Sequence, residues 1–265
     1  MNNYSRFSIS AAVKNAYLFV WRERAYLAKI ALVPMVAQIA CALFIQYERP
    51  GASEIEAYLW NLPSMLLLSW FLFVEPRLLI LGERHDRLPA DAAARGMRRR
   101  DMEASVLSLI LFNMTIITAF SVLLHIEKLT QKPGILGALA GTGELLIIGA
   151  LFWGARLGIV PVLAAVGHPI RSVLRKTWGA MFSLRLIGMA LLGIFPVMIV
   201  FQLLLGAVLA NSVPATGAGI GLSMQQQTLL NLLAAPLSLF TSSLLTAAAG
   251  FALKEILGGG RRAKT

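Results

Sequence analysis

Six stretches of the chain, residues 25–46, 57–81, 102–124, 135–157, 184–210 and 228–253, are each long and apolar enough to cross a lipid bilayer, a passage that takes about 20 mostly apolar residues as helix. The runs are continuous rather than alternating, and they are rich in Leu, Ala and Met, which favour helix over strand. Lipid offers no partner to an open backbone, so each run has to close its own hydrogen bonds. Composition agrees: 57% of the 265 residues are hydrophobic and 14% are charged, against about 25% charged in an average soluble domain. The sequence therefore predicts an all-α polytopic membrane protein, a single integral domain over 1–265 with six transmembrane helices.

The formal net charge of +11 suits nucleic acid, anionic lipid or a topology signal equally well, and its distribution separates them. Of the 24 Lys and Arg, 21 lie in the N-terminal segment, the second-to-third connection, the fourth-to-fifth connection with its helix ends, and the C-terminal tail. The opposite side holds Arg49, Lys128 and Lys132. By the positive-inside rule both termini face the cytoplasm of a bacterial-type inner membrane. The charged, amphipathic residues ahead of the first run do not resemble a signal peptide. Cys41 is the one cysteine and lies in an apolar run, where a buried thiol is expected; Gln38-Ile39-Ala40-Cys41 is a poor lipoprotein box.

The basic connections carry amphipathic periodicity. Ile9, Ala12, Val13, Ala16, Tyr17 and Val20 recur at helical spacing before the first span, and Ile170, Val173, Leu174, Thr177, Trp178 and Met181 do so before the fifth. Ala90, Ala93, Ala94 and Met97 repeat the pattern weakly before the third. Three cytoplasmic interfacial helices are predicted, with Tyr17, Trp21 and Trp178 as interfacial anchors. Lys14, Arg95, Arg98, Arg99, Arg100, Arg171, Arg175 and Lys176 are predicted to contact anionic lipid headgroups, each such cation contributing about 1 kcal/mol near a charged surface. With Ser8, Pro89 and Pro169 taken as equivalent starts, Lys14, Arg95 and Arg175 share one column. The chain then reads as three units of about 80 residues (8–88, 89–168 and 169–257) and a basic tail (258–265). Each unit is an interfacial helix, an outgoing span and a returning span that ends near a cation: Arg77, Arg156 or Lys254.

The Arg156-Leu157 step, followed by His168-Pro-Ile-Arg-Ser-Val-Leu-Arg-Lys-Thr-Trp178, resembles the membrane domain found ahead of some glycerophosphodiester phosphodiesterases and its stand-alone bacterial relatives. The similarity covers the spans in outline and about 25 residues in detail. It implies a fold more than an activity, and no phosphodiesterase catalytic domain is expected.

Carboxylates at membrane depth are candidate functional groups. Glu75, in Phe73-Val74-Glu75-Pro76-Arg77, reads either as a coupling carboxylate at a helix break or, the favoured reading, as an ion pair with Arg77 or Arg156. Glu144 lies within the fourth span, beside glycines spaced for close helix contact, Gly137 with Gly141 and Gly154 with Gly158. Gln38, Asn113, Gln202 and Asn231 either line a path or bond a neighbouring helix. His85 and His168 fall on one side and His125 on the other, so no three-histidine metal site is expected. No Ser, His and Asp set stands at matched depth, and Gly217-Ala-Gly-Ile-Gly221 lacks the spacing of a phosphate loop. Arg95 to Arg100 have no interleaved aromatics for nucleic-acid bases to stack on.

No enzyme, cofactor, metal or nucleic-acid partner is thus expected. The leading expectation is a scaffold or accessory protein of the membrane, with a basic belt on anionic lipid and a protein partner or a second copy beside it. The alternative is a transporter or channel for a small solute or a lipid, with a polar cavity at Glu75, Asn113, Glu144 or Asn231 favouring it and a dry interior opposing it. An intramembrane enzyme is the disfavoured third.

Overall fold

A computed structural model describes residues 7–52, 54–86, 91–130, 135–177, 179–210 and 224–262. Among them there is no strand. Nine α-helices follow one another: α1 (Ile9–Arg22), α2 (Arg24–Glu48), α3 (Glu54–Pro76), α4 (Ala92–Thr130), α5 (Ile135–Gly154), α6 (Val160–Ala165), α7 (Ile170–Lys176), α8 (Ala180–Ala210) and α9 (Met224–Arg262). Five segments are long and apolar enough to cross a membrane, Arg24–Glu48, Glu56–Leu81, Ile147–Ala165, Ala180–Gly206 and Met224–Leu257. The sixth expected span, 102–124, lies in α4, where several side chains fall outside the described residues.

Three helical hairpins make up the bundle: α2 with α3, α4 with α5 and α6, and α8 with α9. Each returning arm also packs on the next outgoing helix, α3 on α4, α5 on α8, and α9 on α2, which closes a ring. Inside the ring the returning arms meet one another, α3 against α9 and α6, and α6 against α9. Their meeting point is the core. Phe71 to Arg77 of α3, Pro161 to Ala165 of α6, and Ala247, Ala248, Ala252 and Leu253 of α9 are all buried. Outgoing helices instead present apolar residues to their surroundings, among them Leu32, Val33 and Val36 of α2 and Leu191, Phe195 and Leu203 of α8. Exposed apolar surface on this scale suits a lipid environment.

Two of the three returning arms change helix type at the core, while α9 runs through it unbroken. Pro76 has no N–H to give, and the backbone behind it widens into a π-helical turn, Arg77–Leu81. Gly82 closes the turn at φ 71°, and Glu83 N–H donates back to Arg77 O at 3.2 Å. In the second hairpin a 3₁₀ segment, Ala155–Ile159, leads into α6 with Pro161 in its first turn.

The three basic segments do not form three alike interfacial helices. α1 is separate, capped by Ser8 Oγ accepting from Ala11 N–H at 3.3 Å, but its apolar face packs on α8 and α9 rather than on lipid. Contacts advance together along α1 and α8. The Phe7 and Phe182 rings lie 5.9 Å apart, Arg185 Nη1 donates to Phe7 O at 2.9 Å, and Tyr17 OH donates to Gly193 O at 2.8 Å. Tyr17, half-buried, thus ties α1 to α8. Trp21 is exposed, with the Arg24 guanidinium 4.6 Å from its ring. The second basic segment runs unbroken into the apolar run behind it as α4, 39 residues long, because its small residues bury no stripe of their own and no proline intervenes. The third is the seven-residue α7. Trp178 and the Lys176 side chain lie outside the described residues.

Candidate functional site

Between the hairpins lies a cleft of about 1920 Å³. α4 lines it from Ser105 to Val122, a length of about 25 Å at 1.5 Å per residue, close to the roughly 30 Å of a bilayer's hydrocarbon core. Leu68 and Leu72 of α3, Leu151 and Phe152 of α5, Leu186 and Met189 of α8, and Ala235 and Leu245 of α9 supply much of the remaining wall. The cleft is open to its surroundings, since Leu111, Met114, Val122 and Ile148 line it and are exposed. At the end bearing the basic connections it stops against the core, with Leu72, Pro161 and Ala249 at its floor.

Its polar groups are uncharged. Gln38, Tyr58, Asn61, Ser64, Ser108, Asn113, Asn231 and Ser242 line it, and no Asp, Glu, Lys, Arg or His does so among the described residues. Asn61 Nδ2 donates to Ala57 O at 3.0 Å, and Asn231 Nδ2 donates to Gln46 Oε1 at 2.8 Å. Gln38 Oε1 and Tyr58 OH are buried and have no hydrogen-bond partner. Of the four amides singled out in the sequence, Gln38, Asn113 and Asn231 line the cleft and Gln202 does not. The Glu144 side chain lies outside the described residues.

Below the floor, Glu75 is fully buried. Its Oε1 accepts from Ser243 Oγ at 2.6 Å, and its Oε2 has no partner. The expected pairing with Arg77 or Arg156 does not form. Pro76 and the wider turn after it direct Arg77 to the other side of α3, where it gathers acceptors from three directions. Nε and Nη2 donate to Glu83 Oε2, both at 2.9 Å, while Nη1 donates to Asp101 Oδ2 at 3.0 Å and to Ala165 O at 2.7 Å. The last bond satisfies a terminal carbonyl of α6. Gly167 turns the chain there at φ 66°, and a Cβ on it would stand 3.2 Å from Asp101 Oδ2. Lys254 of α9 does for α3 what Arg77 does for α6: its Nζ donates to Leu79 O in the π-helical turn at 2.6 Å. Arg156 is buried with its guanidinium 4.7 Å from the Trp153 ring.

Lys14, Arg95, Arg99, Arg100, Arg171 and Arg175 are exposed, and Arg99 also pairs with Glu103 at 2.9 Å. Arg98 departs from this set. It is buried and lies near enough to His85, with burial as the larger cause, to help hold that imidazole below its ordinary range, while Asp86 opposes both. On a helix already packed against α3, position 98 faces inward where 99 and 100 face out. Asp101 and Glu83 were not singled out in the sequence; the signal for Asp101 was a lone acid closing an arginine run. No cluster of three or more His, Cys, Asp or Glu suited to a metal occurs among the described residues. Set beside known proteins, the chain matches no family, no curated protein and no solved structure.

Proposed function

We propose that this protein is a transporter of lipid-class molecules, spanning the membrane six times with both termini in the cytoplasm, and holding its cargo in the cleft between three repeated hairpins. The observation that carries the reading is the cleft, long enough to traverse most of a hydrocarbon core, walled by Leu, Ile, Phe, Met and Ala, and open at its side. Open at its side, such a space takes apolar chains from its surroundings, and each chain that enters gains dispersion contacts along the wall.

The remaining features support the same reading. The distribution of Lys and Arg puts the floor of the cleft on the cytoplasmic side, so the arrangement is open toward the outer part of the membrane and closed by the core beneath. The cyclic packing of hairpin on hairpin has the order expected of a threefold internal repeat, and the continuous α4 supplies the sixth span. The exposed arginines of the cytoplasmic belt hold the bundle against anionic headgroups, the role first expected of them. Acid–base or nucleophilic chemistry has no support in a cleft whose described polar groups are amides and hydroxyls.

The test is transfer of a fluorescent single-chain lipid between the leaflets of reconstituted vesicles. The wild type is expected to speed it, and Ala190→Trp and Ala235→Trp, which fill the cleft wall, are expected to abolish the gain while the protein still folds. Equal transfer by the filled variants would remove the proposal.

A further inference from the structure

Resting on the cleft as the lipid site, we infer that its cargo is an electrically neutral amphiphile bearing a hydrogen-bonding head, of the diacylglycerol or long-chain alcohol class rather than a charged phospholipid, and that Gln38 and Tyr58 bind that head. Two independent observations meet here. First, the described lining carries amides and hydroxyls but no charged side chain. A phosphate drawn to membrane depth without a cation is costly, and the buried cations of the core are engaged elsewhere: Arg77 with Glu83, Asp101 and Ala165 O, and Arg156, whose neighbours Ala155 and Leu157 line the cleft, with the Trp153 ring; Lys254 donates to Leu79 O.

Second, Gln38 Oε1 and Tyr58 OH are buried within the first hairpin, line the cleft, and have no partner in the protein. A buried polar atom without a partner loses its hydration and receives nothing in return. Other polar groups on the cleft wall do find partners, as Asn231 with Gln46 and Ser105 with Pro161 O illustrate. An acceptor on α2 and a phenol on α3, buried behind the cleft wall that the rest of their side chains line, fit a hydroxyl or ester head once a side-chain rotation brings them to its surface: the hydroxyl donates to Gln38 Oε1, and Tyr58 OH donates to an ester or hydroxyl oxygen. The apolar wall beyond them takes the chains.

These groups make a signature that a merely structural role does not give. Because neither atom has a partner within the protein, Gln38→Leu and Tyr58→Phe are expected to leave its thermal stability unchanged or raised, while each weakens binding of the neutral ligand about fivefold, the loss of one neutral hydrogen bond. The experiment is displacement of a fluorescent fatty alcohol from the purified full-length protein by diacylglycerol or by phosphatidylglycerol with the same chains. Diacylglycerol is expected to displace at tenfold or lower concentration, with both variants narrowing that gap. Equal displacement by the two lipids, or variants that bind like the wild type, would overturn the inference and leave the cleft as a lipid site. No binding of the fatty alcohol at all would overturn both.

Discussion

The two halves of this bundle are built from the same kinds of helix and packed in opposite ways. Where the returning arms meet, on the side of the basic connections, side chains from α3, α6 and α9 interlock. Phe71, Phe73, Ile159, Leu163, Leu244 and Leu253 there are at most 2% exposed. Farther along the same helices the wall stands open around about 1920 Å³. The difference follows from the backbone. Pro76, Pro161 and the short π and 3₁₀ segments leave carbonyls without helical partners, and Arg77 and Lys254 cross between hairpins to satisfy two of them. Those cross-links draw the arms together at one end, whereas among the described residues the cleft half is joined by the amide contact of Gln46 with Asn231 and its hydroxyl neighbours.

The sharpest way to break this contrast is to remove the guanidinium at the junction. Arg77→Met leaves Asp101, Glu83 and Ala165 O without their donor and is expected to cost about 2–3 kcal/mol, less than a fully buried pair would because Asp101 and Glu83 keep some contact with solvent. Leu203→Ala, at an exposed position on α8, is expected to change stability by less than about 0.5 kcal/mol. Thermal unfolding of both in one detergent compares them directly, and similar losses would deny that the closed half carries the stability.

Next in size is the close approach of α9 to the π-helical turn, where a Cβ on Gly250 would lie 2.5 Å from Leu79 Cδ2. Gly250→Ala is expected to cost about 1–3 kcal/mol by overpacking. Leu79→Ala in the same chain should recover part of that loss, and strict additivity in the double-mutant cycle would place the two residues out of contact. Ser243→Ala comes third. It orphans the remaining oxygen of Glu75 and is expected to cost about 1–3 kcal/mol, whereas Glu75→Gln keeps an acceptor for Ser243 and should cost less in the same unfolding assay.

The smallest effect is a pH dependence at the rim of the closed half. Burial, with Arg98 adding to it, holds His85 below 6.5, so the unfolded chain takes up this proton more readily than the folded one. The stability that neutral His85 provides is complete above 6.5 and declines as pH falls through that value. Unfolding midpoints of wild type and His85→Gln should therefore converge on acidification, and parallel curves would contradict the assignment.

The long apolar helices were legible because each needs only a run of apolar residues, and the charge asymmetry was legible because it is a count along the chain. What escaped was what depends on neighbours. Tyr17 carries the spacing of an interfacial anchor, yet its hydroxyl finds Gly193 O because α8 lies beside α1. Arg98 stands among exposed arginines and is buried because α4 continues as one helix past the expected break. Glu75 and Arg77 are two residues apart, and such residues do not share a helix face; the widened turn sends one to Ser243 and the other to Asp101. The cleft left no trace in the sequence, since a space is defined by contacts that are not made and its wall is ordinary Leu, Ala and Ser. Only Gln38, Asn113 and Asn231, polar at membrane depth, pointed toward it.

The claim that the interior cleft, rather than the outer face, receives lipid is tested most directly by photo-crosslinking. A neutral lipid carrying a diazirine on its chain is incorporated with the protein into vesicles, and the labelled residues are mapped by mass spectrometry. The account predicts dense labelling at Phe112, Ala119, Leu151 and Leu245 inside the cleft, suppressed by Ala235→Trp. Labelling confined to Leu32, Val36, Leu191 and Phe195 on the outer faces, and indifferent to that substitution, would contradict it.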